Sequence, residues 1–198
     1  MRKEDTLSFL SDFLNVRAAP ILDSFRDWAA SMAGIIDAST VAADHFSYKC
    51  REVREYAELL SRFEEYTDGW SGCRFLHQTV ISGRLVSVIG LTDSISTPLG
   101  ALKFLELSEP KPMSADTGGF DHVEIYRKPT QYTPWAELEE LAELLNARSG
   151  ARFVKKGRRH HSTWDAVIAR DPSREDRQDF ILRLTEGPLI EKIAQEMR

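Results

Sequence analysis

Cysteine is scarce: Cys50 and Cys73 are the only two in 198 residues. Two thiols cannot staple a disulfide scaffold, and these two lack the spacing of metal-ligand pairs. A reducing cytoplasm is the expected home. Long apolar runs are missing too: nothing approaches the roughly 18–20 residues of a membrane span. The N-terminal segment Met1-Arg2-Lys3-Glu4-Asp5 has no apolar core of signal-peptide type behind it. Positive charge is in deficit, with 26 Lys and Arg against 31 Asp and Glu and a net charge of -5. A phosphate-backbone binder needs a basic surface, so nucleic acid is not an expected partner. Nucleophile elbows, P-loops, HExxH helices and CxxC pairs are all absent.

What remains is globular, with 42% hydrophobic and 29% charged residues. The length suits one large domain or two small modules. From residue 5 to about 34 the apolar period is helical: Leu7, Phe9, Leu10, Phe13 and Leu14, then Ile21, Phe25, Trp28 and Met32 beyond Pro20. Proline predicts two helices or a kink. Ala43–Cys50 reads as a strand, Glu52–Tyr66 as a helix, and Cys73–Leu91 as a hairpin about Ser82-Gly83. Ala101–Ser108 is the fourth strand in this order. The sequence then repeats it: strand Phe120–Lys128, helix Pro134–Arg148, strands Arg152–Arg158, Thr163–Arg170 and Phe180–Glu186. Pro188 opens a short C-terminal helix.

Four matches in the same order support an internal repeat. Asp44-His45 returns as Asp121-His122, and the strand around Glu106 returns around Arg183, both at an offset of 77. Arg74-Phe75 returns as Arg152-Phe153, and Ala57-Glu58-Leu59-Leu60 as Ala142-Glu143-Leu144-Leu145. The fold class is therefore α+β. Two paired βαβββ modules, residues 41–112 and 113–198, form a cupped mixed sheet after a helical prefix, residues 1–40, in one compact domain.

His45 and His122 hold equivalent places in equivalent strands, and Glu106 sits between Leu105 and Leu107. A carboxylate there is costly to bury without a partner. Two imidazoles and one carboxylate meeting at the seam are a donor set for a divalent metal. Glu124 shares a strand face with His122. It suits a general base, a partner behind the ligands, or an ion pair with Arg183. Asp44 and Asp121 are expected on the opposite face in structural roles. His77 borders the cup and is a candidate substrate contact. The bland alternatives are satisfied core histidines, a strand-edge Glu106 paired with Lys103, and packing for His77. The basic run Lys155–His161 reads as a solvated hairpin tip, and His160-His161 point to opposite faces.

The segments ADHFSYKC (43–50) and GFDHVEI (119–125), with Leu105-Glu106-Leu107, resemble the vicinal oxygen chelate superfamily. That group includes glyoxalase I, extradiol dioxygenases and bleomycin-resistance proteins. The closer resemblance is to its bacterial YecM-like family. The resemblance implies a cupped sheet holding a divalent ion, Zn, Ni, Mn or Fe(II), on His45, Glu106 and His122. It implies an enzyme, isomerase, lyase or dioxygenase, acting on a small oxygen-bearing substrate as a monomer or homodimer. A ligand-binding protein without turnover and a structural or partner-binding protein are the alternatives. One departure stands out. The superfamily often draws a further ligand from the last strand of the second module, where this chain has Arg183. Either Thr185 or Glu186 reaches the metal through a register shift, or Arg183 grips an anionic substrate bidentately.

Overall fold

The computed structural model describes residues 9, 11–65, 73–113, 118–128, 138–156 and 163–196. Strand β1, Val41–Lys49, is buried along almost its whole length. Its apolar and small residues let it take a central place, with a neighbour on each side. It runs parallel to β4 (Gly100–Ser108) and antiparallel to β5 (Gly119–Arg127). The first module is completed by helix α2 (Val53–Glu65) and the hairpin β2 (Cys73–Ile81) and β3 (Arg84–Thr97). The second contains β5, helix α3 (Leu138–Ser149), and β6 (Val154–Lys156), β7 (Thr163–Ile168) and β8 (Phe180–Thr185). One eight-stranded sheet results, in the order β2-β3-β4-β1-β5-β8-β7-β6. The order is a palindrome of two βαβββ units joined where β1 meets β5. This is the paired-module architecture that the sequence repeat predicts.

Ser82 and Gly83 both adopt positive φ, 53° and 79°. That is the two-residue turn whose twist matches a hairpin. Strand β3 runs on to Thr97, past the expected end at Leu91, because Ile95–Thr97 re-pair with Gly100–Leu102 after an irregularity. Strand β6 begins at Val154, two residues later than expected, and its expected end at Arg158 lies outside the described residues. Phe153 N–H donates to Asn146 Oδ1 at 2.6 Å, tying the chain to the end of α3 before pairing begins. The expected helix start at Pro134 and the His160-His161 pair lie outside the described residues.

The helical prefix is a π-helical turn, Phe13–Arg17, followed by α1, Ala19–Ser31. Pro20 sits in the first turn of α1, where its missing N–H costs nothing. Phe13 is fully buried and packs edge-on against Tyr48 and Phe63, with Phe120 beside it at 5.3 Å. Ile21, Leu22, Phe25 and Trp28 of α1 are buried in the same core. A C-terminal helix, α4 (Leu189–Glu196), follows β8 and is mostly exposed, with Ile193 buried. Among the described residues no helix is long and apolar enough to cross a membrane.

Candidate metal centre

Each histidine of the repeated Asp-His pair sits at a break in the β1–β5 ladder. Ala43 pairs with Ile125 but His45 with Glu124, so β1 has one extra residue at Asp44. Phe46 pairs with Val123 but Tyr48 with Phe120, so β5 has its extra residue around Asp121 and His122. A bulge suspends strict alternation and re-aims side chains. The expectation that Asp44 and Asp121 turn away from the site is therefore corrected. Asp44 Oδ2 lies 2.8 Å from His45 Nδ1, and Asp121 Oδ2 lies 2.9 Å from His122 Nδ1. Each carboxylate holds its own histidine with Nε2 directed the other way, the arrangement metal-ligating histidines use. Strand alternation alone does not reveal this; the signal was the Asp-His dipeptide itself, occurring twice.

The two rings lie 5.9 Å apart at the seam. Glu124 Oε1 is 3.5 Å from His122 Nε2 and 3.7 Å from His45 Nε2. Glu106 Oε2 is 3.9 Å from His45 Nε2, and its Oε1 accepts from Ser47 Oγ at 3.1 Å. The donor atoms of His45, His122 and Glu124 all lie within 4.8 Å of one another. Bonds of about 2.0–2.2 Å to one ion require donors about 3–4 Å apart, so small ring rotations close the set. His45 Nε2 is buried without a hydrogen-bond partner. A buried polar atom left in that state is costly unless something else engages it. The residues thus fit a divalent ion, with Glu124 brought into the set beside the expected His45, His122 and Glu106.

Electrostatics favour a cation at this point. Burial alone would push His45 toward the neutral form. Glu124, Asp44 and Glu106 outweigh it and hold the imidazolium up to about 9. Burial works against the Glu124 carboxylate too, yet His45, His122 and Lys192 keep it well below the usual range. Asp121 is likewise held low against burial, by His122 and by Lys49, whose Nζ donates to it at 2.8 Å.

Arg183 points into the cup. Its Nε and Nη2 donate to Asp165 Oδ1 and Oδ2 at 2.9 and 3.0 Å. Its Nη1 donates to His122 Nε2 at 3.1 Å and to Glu124 Oε1 at 3.4 Å. The bidentate fork is spent on Asp165, leaving one nitrogen for anything else. No register shift substitutes for it, because β5 and β8 pair regularly from His122–Ile181 to Tyr126–Thr185. Thr185 Oγ1 donates to Gly187 O at 2.9 Å, and Glu186 is exposed beyond the strand. His77 pairs with Val88, which pairs with Glu106. It shares the Glu106 face but stands two strands away, about 10 Å.

The repeat offset of 77 maps the two halves onto each other. His45 corresponds to His122, Ser47 to Glu124, Glu106 to Arg183, and Val88 to Asp165. The row Ser47–Glu106–Val88 in the first module becomes Glu124–Arg183–Asp165 in the second.

The model of the family described as YecM protein matches residues 22–151. The chain belongs to the YecM family. His45, Glu106, His122 and Glu124 fall within the matched span, while Asp165, Arg183 and Lys192 follow it. No curated protein matches the chain in sequence. Among solved structures, a structural-genomics protein described as "Protein EC4020" has a TM-score of 0.64 at 16% identity, over 99% of this chain and 97% of that one. It shares the fold of this YecM-family chain. A methylmalonyl-CoA epimerase from Mycobacterium tuberculosis matches with a TM-score of 0.45 at 14% identity, covering 77% of this chain and 91% of that one. A glyoxalase I mutant from Zea mays matches at 0.23 and 10%, covering 79% and 72%.

Proposed function

We propose that this YecM-family protein is a divalent-metal-dependent enzyme of the vicinal oxygen chelate type, acting on a small oxygen-bearing substrate as an isomerase, lyase or dioxygenase. The observation that carries the reading is His45. Its Nδ1 is fixed by Asp44, and its Nε2 is buried, unpartnered and within 4 Å of two carboxylates. His45, His122, Glu124 and Glu106 would hold the ion, which when bound supplies Lewis-acid polarisation of vicinal substrate oxygens. Zn, Ni, Mn and Fe(II) all suit two imidazoles with carboxylates. Asp44 and Asp121 keep the Nδ1 protons in place, so each imidazole presents its lone pair at Nε2. With two carboxylates at the seam, one can stay on the ion while the other, Glu124 or Glu106, takes a substrate proton. Arg183, locked by Asp165, stabilises negative charge beside His122 and Glu124 through Nη1. His77, farther along the same face, would touch the distal part of a larger substrate.

Metal analysis tests the reading. Protein incubated with each of the four ions and dialysed is expected to retain about one ion per chain. The His45→Ala/His122→Ala double variant should retain none. Stoichiometric metal in that variant would sink the assignment. A second reading, a ligand-binding cup without turnover, is favoured by one observation: Arg183 Nη1 already occupies His122 Nε2. Wild-type protein that stays metal-free after every incubation would select it.

A further inference from the structure

Two cations reach the site carboxylates on the cup face among the described residues, and they are in different states. Arg183 spends its bidentate fork on Asp165 and turns only Nη1 toward His122 and Glu124. Lys192 meets Glu124 Oε2 at 3.8 Å, a long contact, and its side chain is 28% exposed. The two oxygens of Glu124 divide the work. Oε1 faces the histidines and Arg183, while Oε2 faces Lys192. Lys192 therefore reaches the donor set through the Glu124 oxygen that the histidines and Arg183 leave aside.

Helix α4 delivers it there. Leu189 N–H, in the first turn, donates to Asp44 Oδ2 at 3.0 Å, the same oxygen that engages His45 Nδ1. Lys192 follows Leu189 by three residues and so lies on the same helix face. The carboxylate that orients one histidine thus also fixes the helix carrying the lysine. This link joins β1 to a helix 145 residues later in the chain.

We infer that Lys192, positioned by the Asp44–Leu189 contact, is the substrate-anion receptor of the cup, and that the substrate is a small oxyanion bearing vicinal oxygens. The inference rests on the metal reading above. An ion held by Glu124 draws off the charge that Lys192 now faces across 3.8 Å. Lys192 is then left beside a like charge, on a partly exposed side chain. A substrate whose oxygens engage the ion and whose negative charge meets Nζ satisfies both. Arg183, expected from the sequence to grip the anion bidentately, does not have the free fork to do so.

The test uses the full chain loaded with Co(II), with oxalate as the probe. Co(II) binding and oxalate binding are read separately, by the visible spectrum of the ion and by calorimetry. Lys192→Gln should bind Co(II) as tightly as wild type or more so, and should weaken oxalate by about tenfold or more, the loss of one charge-assisted contact. Lys192→Arg should restore most of it. Oxalate affinity within about twofold of wild type in Lys192→Gln overturns the inference and leaves the metal reading intact. So does wild-type protein that binds Co(II) but not oxalate. Wild-type protein that binds no Co(II) overturns the metal reading, and this inference with it.

Discussion

Removing Asp165 tests the ion pair that replaces a first-module glutamate and valine with an arginine and an aspartate. Asp165 is buried and pairs in register with Arg183 across β7 and β8. Asp165→Ala deletes two charge-assisted hydrogen bonds at 2.9 and 3.0 Å and leaves a guanidinium in a site closed on most sides. Breaking a buried pair by removing one partner costs about 3–5 kcal/mol. Arg183 retains Glu124 at 3.4 Å and is 24% exposed, so the cost belongs at the low end, about 3 kcal/mol. Urea unfolding reads this directly. With a slope of about 2 kcal/mol per molar, the midpoint falls by roughly 1.5 M. The double variant Asp165→Ala/Arg183→Met removes both charges and is expected to lose about 1 kcal/mol, less than the single variant. A single variant losing under about 1 kcal/mol, or a double variant that loses the sum of the two singles, would refute the claim that the pair is mutually required.

Four further outcomes are expected. Phe13→Ala empties a fully buried position among four aromatic neighbours and should cost about 3–5 kcal/mol by chemical denaturation. Gly118→Ala should destabilise by more than about 2 kcal/mol; φ is 71°, and a Cβ there would collide with Arg51 Cγ and meet Arg51 N at 2.9 Å. Burial pushes the Cys50 thiol up to about 12 and Cys73 to about 11, from 9.0. A raised value means that the thiols' contribution is whole below pH 9 and is lost as pH rises toward 11 to 12. The loss is at most about 1.4 kcal/mol per pH unit per thiol, and equilibrium unfolding across that window, compared with Cys50→Ala/Cys73→Ala, measures it. Arg183→Glu/Asp165→Val copies the first module's pair into the second and should tighten divalent-ion binding by at least about tenfold in calorimetry; unchanged or weaker binding counts against the ligand assignment.

The modules, their element order and the seam were legible because each half repeats the same signals. The Asp-His dipeptide and the apolar strand around position 106 recur at a spacing of 77, with the Ala-Glu-Leu-Leu and Arg-Phe matches between them in the same order. What was not legible depends on departures from regular pairing. Alternation predicts that Asp44 faces away from His45, and a single extra residue in β1 reverses this. The partner of Arg183 was hidden for a similar reason. Asp165 is 18 residues earlier, in another strand, and only the β7–β8 register brings it opposite. Lys192 carried no signal at all. Its place depends on Leu189 capping against Asp44, a contact between opposite ends of the repeat.

The mapping of one module on the other explains why an arginine stands where a ligand is expected without spoiling the site for a cation. In the first module the row Ser47, Glu106, Val88 carries one formal negative charge. In the second, Glu124, Arg183 and Asp165 also sum to one negative charge. The arginine came with two carboxylates, one on each side in register, so the row's charge is conserved while its carboxylate moves from the β8 position to the β5 position. Glu124 thereby stands where Ser47 stands in the other half, and reaches both histidines from the seam. Two rows of one negative charge each, facing two imidazoles, are neutralised by one divalent ion. Without it the same field holds a proton on His45. The protonated, orphaned imidazole and the proposed metal centre are therefore two answers to one electrostatic condition, and metal uptake should release a proton in step.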